Sequence, residues 1–268
     1  MIQRPLLITI LGLIATLFSS EVEGQDRSAQ KESSSAKPKT QTNTTSNSAR
    51  TYETREIQGW KVHIESSLVH TKPNHLEKAI PIFEAQLKAI REVVPQAAVA
   101  KLQQVPLWLS PEYPNIPPRA EYHPSAQWLR ENHRDPNMAR GVEFTDLRMI
   151  EDENRRMPWF VLHELAHAYH DQFIAQGNDN PELRAAFERA QASQVYERVQ
   201  QRDARQNVTI GKAYAMTNVQ EYFAELSEAY FGQNDFFPFT KNDLERVDPL
   251  GAKVLHKLWF ERDAQDTK

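Results

Sequence analysis

The stretch Trp159-Phe-Val-Leu-His-Glu-Leu-Ala-His167 carries the strongest local pattern in the chain. Its two histidines, His163 and His167, stand four residues apart, and in a helix such positions lie only about 40° apart around the axis. Both imidazoles therefore project from one face, where they can bind a single cation. Glu164 lies about 100° round from His163, which places its carboxylate beside such a cation, in the position of a general base.

The same segment has an apolar stripe that allows the helix to be buried. Residues at positions i, i+4, i+7 and i+11 of this stripe are Leu162, Ala166, Tyr169 and Phe173. The spacing predicts a helix over 159–175 that packs on a core and keeps its imidazoles at the edge of that core. Similar periodicity predicts further helices over 74–94, 182–201, 218–231, 241–247 and 250–261.

Shorter stretches before Pro158 predict a small sheet. Apolar and polar residues alternate in 60–64 and again in 141–150, as in half-buried strands. The segment 105–110 reads as a third strand, and Pro106 predicts that it lies at a sheet edge. Residues 111–124 contain five prolines and are predicted to be irregular. A small mixed sheet with an edge strand, followed by a mainly helical C-terminal half, is an α+β fold.

Composition excludes several classes of protein. The 268 residues include no cysteine, which rules out disulfide scaffolds, Cys-type zinc fingers, iron–sulfur proteins and thiol enzymes. The formal net charge of −4 argues against a nucleic-acid partner. Only eight glycines are present, which argues against glycine-rich nucleotide-binding architectures.

The N-terminal part of the chain reads as an export signal and a linker. Residues 1–24 combine an early positive charge with an apolar run, Leu6 to Phe18, and a small or polar end. This pattern predicts a signal peptide, and therefore a secreted or periplasmic protein that is not stably inserted in the membrane after cleavage. The alternative is that residues 1–24 stay uncleaved and anchor the protein in the membrane. Residues 25–50 contain no Val, Ile, Leu, Met or aromatic residue, which predicts a disordered Ser/Thr-rich linker before a single domain over 51–268.

A catalytic metal site needs a third protein ligand. His170 lies on the face of His163, but three ligands from one helix would strain a tetrahedron. The metzincin pattern is excluded because it requires a histidine where Phe173 stands. Better candidates are the glutamates at i, i+4 and i+7 of the helix predicted over 218–231, since like charges at this spacing destabilise a helix unless a cation faces them. A solvated acidic face is the alternative. These glutamates are Glu221, Glu225 and Glu228.

The two motifs together resemble the gluzincin metallopeptidases. His-Glu-x-x-His is followed at a distance by Glu221-Tyr-Phe-Ala-Glu225, with Tyr214 seven residues before Glu221, which is similar to the catalytic domain of anthrax lethal factor and its relatives. The resemblance covers only 163–167 and 214–225. It implies that Glu221 is the third zinc ligand, that Glu225 hydrogen-bonds a zinc-bound histidine and that Tyr214 stabilises the oxyanion.

The resemblance implies a zincin-like fold and a zinc-dependent peptidase with one Zn²⁺ ion, with Glu164 as the general base and peptides or proteins as substrates. An edge strand, 105–110 or 141–150, would hold the substrate by strand addition. Three alternatives stay open. Tyr214 can instead pack beside Met216, the protein can be an inactive zincin-like surface or binding module, and the bond hydrolysed can be an amide in a non-peptide substrate.

Overall fold

The computed structural model of the chain describes residues 50–260. The predicted signal peptide and almost all of the predicted linker lie outside these residues, so both stay predictions. Among the described residues, no helix is both long and apolar enough to cross a bilayer.

The first half of the described chain forms a five-stranded mixed sheet in the order β1-β2-β3-β5-β4. Its strands are β1 Tyr52–Ile57, β2 Trp60–Glu65, β3 Leu107–Ser110, β4 Ala120–His123 and β5 Gly141–Thr145. The central pairs β2/β3 and β3/β5 are parallel, whereas β1/β2 and β4/β5 are antiparallel. The predicted α+β class with a mixed sheet is confirmed.

The edge strand is a different one from those predicted. The sequence predicts that 105–110 or 141–150 forms an edge strand, yet the strands in these segments, β3 and β5, both lie in the interior of the sheet. Pro106 precedes β3, so its missing N–H removes no bond from the ladder, and its carbonyl accepts the N–H of Val142 at 3.0 Å. The predicted irregular stretch contains the edge strand β4, because its prolines flank the four residues Ala120–His123 rather than interrupt them.

The predicted helices are largely present. The described helices are α1 Ser66–Thr71, α2 Pro73–Val93, α3 Gln96–Leu102, α4 Ala126–Glu131, α5 Ile150–Arg156, α6 Phe160–Phe173, α7 Pro181–Ser193, α8 Val219–Phe231, α9 Lys241–Val247 and α10 Pro249–Phe260. Two predicted elements, one strand and one helix, end several residues earlier than predicted. The predicted strand 141–150 ends at Thr145, because Asp146 has a left-handed backbone (φ 54°) that turns the chain toward α5.

The predicted helix 182–201 ends early. It stops at Ser193, where Gln194 takes a left-handed conformation (φ 57°). The chain then forms an antiparallel hairpin of β6 Val199–Arg202 and β7 Val208–Gly211. This hairpin leads directly into the turn at Tyr214–Met216 and so into α8.

One face of the sheet and the long helices share the main core. Phe144 of β5 packs edge-to-face against Phe83 of α2 and Phe160 of α6, with ring centroids 4.8 and 5.6 Å apart. On its other side α6 packs against α8, and Trp259 of α10 stacks on Tyr169 of α6. The helix with the two histidines therefore lies between the sheet and the C-terminal helices, alongside the edge strand β4.

Candidate active site

The two helices that carry the candidate ligands are fixed at their N-termini by side chains. In α6, the N–H of Val161 donates to Gln86 Oε1 of α2 at 3.1 Å, which satisfies one of the free donors of the first turn. In α8, Asn218 is the N-cap and its Oδ1 accepts the N–H of Glu221 at 2.8 Å. This cap places Glu221 in the first turn of α8, where it faces the histidines of α6.

Three predicted ligand atoms form a nearly equilateral triangle. His163 Nε2 lies 3.1 Å from His167 Nε2, and Glu221 Oε2 lies 3.2 Å from His163 Nε2 and 3.3 Å from His167 Nε2. A tetrahedral zinc ion at its usual bond lengths separates its ligand atoms by about 3.3 Å. The two imidazoles and one carboxylate thus have the spacing and the chemistry of a catalytic metal's donor set.

The charge state of Glu221 agrees with a ligand role. Burial on its own would raise the pKa of this carboxyl group, but the charges of His167 and His163 and hydrogen bonds to both rings bring that pKa well below its ordinary value. Glu221 is 3 % exposed. A carboxylate held ionised in a buried site is suited to a divalent cation.

Glu164 lies beside the triangle and contacts the edge strand. Its Oε2 accepts the backbone N–H of Tyr122 in β4 at 3.0 Å. Its Oε1 is buried and has no hydrogen-bond partner among the described residues. Burial raises the pKa of this carboxyl group, and the charges of His167 and His163 oppose that rise. One oxygen is therefore anchored and the other is available.

Tyr214 also reaches the site. Its phenol donates to Glu221 Oε1 at 3.2 Å, on the carboxylate whose other oxygen belongs to the triangle. The turn that carries Tyr214 is anchored by the bond from Ala213 N to the carbonyl of Tyr196, 2.9 Å long. Burial and the negative charges of Glu221 and Glu164 raise the pKa of this phenol, so it stays protonated and able to donate. In the alternative interpretation Tyr214 only packs in the core, and the hydrogen bond to Glu221 is an additional contact that this interpretation does not include.

The hydrogen bond that was expected from Glu225 is made by another residue. His163 Nδ1 lies 2.7 Å from Glu228 Oε1 but 3.9 Å from Glu225 Oε1. The Oε2 atom of Glu225 accepts from Asn234 Nδ2 at 3.0 Å. Because the segment after α8 brings Asn234 against Glu225, this carboxylate is turned away from the histidine. In this structure the bond to His163 is therefore made by Glu228 and not by Glu225.

His170 stays outside the triangle. Among the described residues, the groups of possible ligands whose atoms lie within 4.8 Å of one another do not include it. Its ring packs against Phe223 of α8, with centroids 5.2 Å apart. Burial lowers the pKa of His170 to about 4, so the imidazole is neutral at physiological pH.

Two contacts of the site were missed from the sequence. The first is the hydrogen bond between Glu228 and His163. The sequence shows the i+7 spacing of Glu228 from Glu221, but it does not show this contact. The second is the backbone N–H of Tyr122, which carries no side-chain signal at all. Both depend on how α6 packs against its neighbours.

A comparison with known protein families matches part of the chain. Residues 146–244 match the family model described as glucose-regulated metallo-peptidase M90. The matched segment contains α6 and α8 and therefore all the atoms of the triangle. The match supports a metallopeptidase, a hydrolase that uses a metal cofactor and acts on peptide substrates. No curated protein and no solved structure gives a significant match.

Proposed function

We propose that this protein is an exported zinc peptidase of the gluzincin type, with one Zn²⁺ ion held by His163, His167 and Glu221. The observation that carries the proposal is the triangle of their ligand atoms, with sides of 3.1 to 3.3 Å. The chemistry that zinc supplies in such a site is Lewis acidity, which lowers the pKa of water at an open coordination position to about 7 and polarises a carbonyl group. Export is supported by the signal-like pattern of residues 1–24 alone.

Glu164 has the position and the free atom of a general base. The Tyr122 N–H fixes Oε2, which leaves Oε1 to accept a proton from the attacking water and to return it to the leaving amine.

Tyr214 is suited to stabilise the oxyanion. The phenol is a protonated donor beside the carboxylate of Glu221, at the edge of the triangle of candidate ligands. In the proposed mechanism its O–H is donated to the substrate oxygen on which negative charge develops. A donor aimed at developing charge in a buried site acts more strongly on the transition state than on the neutral carbonyl.

The edge strand β4 offers a way to hold the substrate. Its inner side pairs with β5. Two backbone hydrogen bonds close the ends of this pairing, one from Thr145 N to Arg119 O and one from Arg140 N to His123 O. Its outer edge has no strand partner in the part of the chain that the structure describes. An extended peptide that pairs with this edge lies next to Glu164 and is held in register by backbone hydrogen bonds.

The test is cleavage of a peptide library and of casein by the zinc-loaded protein, with Glu164→Gln as the matched control. We expect the wild type to cleave internal peptide bonds and the variant to be inactive. Absence of cleavage by the metal-loaded wild type would favour an inactive binding module. Release of peptidoglycan fragments without casein cleavage would favour an amidase. Either result would overturn the peptidase proposal.

A further inference from the structure

Both ring nitrogens of His163 are engaged by glutamates of the same helix. Its Nε2 faces Glu221 Oε2 at 3.2 Å, and its Nδ1 lies 2.7 Å from Glu228 Oε1. His163 and Glu228 are both 0 % exposed. A buried pair in direct contact at 2.7 Å makes a strong and directional hydrogen bond when one partner is charged.

Helix geometry places Glu228 on the same face of α8 as Glu221. Seven residues turn a helix to within about 20° of two full turns, so Glu221 and Glu228 lie on one face, about 10.5 Å apart along the axis. The imidazole of His163 inserts between their carboxylates. Glu225 lies about 40° round from Glu221, and its Oε1 remains 3.9 Å from Nδ1, beyond hydrogen-bond distance.

We propose that Glu228 is the positioning residue of His163: its carboxylate accepts the Nδ1–H, fixes that tautomer and directs the Nε2 lone pair to the metal. The inference rests on the proposed function, because it assigns the orientation of one ligand of that metal site. Histidines that bind metals usually donate their other N–H to a carboxylate or carbonyl group, which raises their basicity and fixes the ring.

Glu228 in turn has a source of positive charge on α5. The guanidinium of Arg156 interacts electrostatically with Glu228 and makes an ion pair with Asp235 Oδ2 at 2.9 Å. A buried carboxylate is costly without such compensation. The charges of Arg156 on α5, Glu228 on α8 and His163 on α6 therefore act on one another in the interior.

The test compares two buried glutamates of one helix in the full-length protein. Glu228→Leu removes the acceptor, Glu228→Gln keeps an amide oxygen that can accept the same bond, and Glu225→Leu is the matched control. Zinc affinity is measured by competition with a chromophoric chelator, and ligand geometry by the visible spectrum of the Co²⁺-loaded protein. Circular dichroism of the metal-free proteins checks that each variant folds.

We expect Glu228→Leu to weaken zinc binding about 10- to 100-fold and to change the Co²⁺ spectrum. Glu228→Gln should recover part of the affinity, and Glu225→Leu should stay within about threefold of the wild type. Equal losses for the two leucine variants, or a larger loss for Glu225→Leu, would overturn the inference, because a general packing role affects both positions alike.

A measurement on the wild type keeps the inference testable if a variant fails to fold. In protein with ¹⁵N-labelled histidine, we expect the zinc-loaded form to carry the His163 proton on Nδ1. A proton on Nε2 would overturn the proposal. These readouts need no turnover. If the wild type binds zinc with this tautomer but cleaves no peptide, the proposed function fails and the role of Glu228 stands. If it cleaves peptides but the affinity order is reversed, only the role of Glu228 fails.

Discussion

Glu221 Oε2 lies 3.2 Å from His163 Nε2, although the two residues are 58 positions apart in the chain. The contact requires α6 and α8 to pack face to face, with the capped first turn of α8 beside the second histidine, His167. Two local helical patterns thus become one site, and its sides of 3.1 to 3.3 Å match the spacing of tetrahedral metal ligands.

Glu164→Gln should lower the rate of turnover steeply and leave metal binding intact. The amide cannot accept the proton that Glu164 Oε1 takes in the proposed mechanism, so kcat should fall by about 10²- to 10⁴-fold. Rates on a fluorogenic peptide and zinc content by elemental analysis check this. A variant with zinc and the wild-type rate would remove Glu164 from the role of general base.

Glu221→Ala should cost far more zinc affinity than Glu225→Ala. The first change removes an atom of the triangle, and a loss greater than about 100-fold is expected because the effect should exceed that of an outer-shell residue. The second changes a side chain whose Oε2 bonds to Asn234. Chelator competition on both variants gives the comparison, and the reverse order would contradict the ligand assignment.

Tyr214→Phe should lower kcat with little change in zinc content. Removal of one oxyanion donor typically costs about 10²- to 10³-fold in kcat. The matched control is Tyr230→Phe, which removes a hydroxyl that bonds to His256 Nδ1. Steady-state kinetics of both variants are the measurement, and a wild-type rate for Tyr214→Phe would assign this residue to the core.

Some of these features are visible in the sequence because they are local. The i, i+4 histidines and the i, i+4, i+7 glutamates each depend on residues within a single helix, and the structure contains both of these helices. Features that depend on distant contacts were not visible. The parallel pairing of β3 between β2 and β5 brings together segments far apart in the chain, so the edge strand was assigned to the wrong segments.

The same distinction applies within the site. Helical periodicity places Glu225 and Glu228 about equally well for a bond to a histidine. The choice between them depends on Asn234, which lies beyond the end of α8 and takes up Glu225. Likewise, Gln194 ends α7 through a left-handed conformation that a polar, helix-compatible sequence does not indicate.

The face of the sheet opposite α6 contains a buried ionic network that should make stability depend on pH. Glu143 of β5 is 0 % exposed, and its carboxylate accepts from Arg134 Nη1 at 2.8 Å and from the Tyr113 hydroxyl at 2.6 Å. Burial would raise the pKa of Glu143, but hydrogen bonding and charge from His123, with further hydrogen bonds, lower it to about 2 from 4.5.

A carboxyl group whose pKa is lower in the folded than in the unfolded state stabilises the protein at pH values above its unfolded-state pKa. The contribution of Glu143, about 3 kcal/mol, should be complete above pH 4.5 and should be lost as the pH falls toward 2. Glu143→Gln should therefore lower the free energy of unfolding at pH 7, and the difference from wild type should shrink below pH 4.5. Urea denaturation between pH 7 and pH 3 measures it.

The control for this experiment is Glu121→Gln. Glu121 lies opposite Glu143 in the β4/β5 register and bonds to the same Arg134 at 3.1 Å, but it is partly exposed. Its effect should be smaller, because solvent screens a partly exposed pair. Equal pH-dependent losses for the two variants would contradict the assignment of the stabilisation to Glu143.

The most direct test of the metal site is a crystal structure of the zinc-loaded protein with anomalous data collected on both sides of the zinc absorption edge. We expect one anomalous peak about 2 Å from His163 Nε2, His167 Nε2 and Glu221 Oε2, with a coordination position open toward Glu164. A zinc peak elsewhere, or none between these three atoms, would contradict the account.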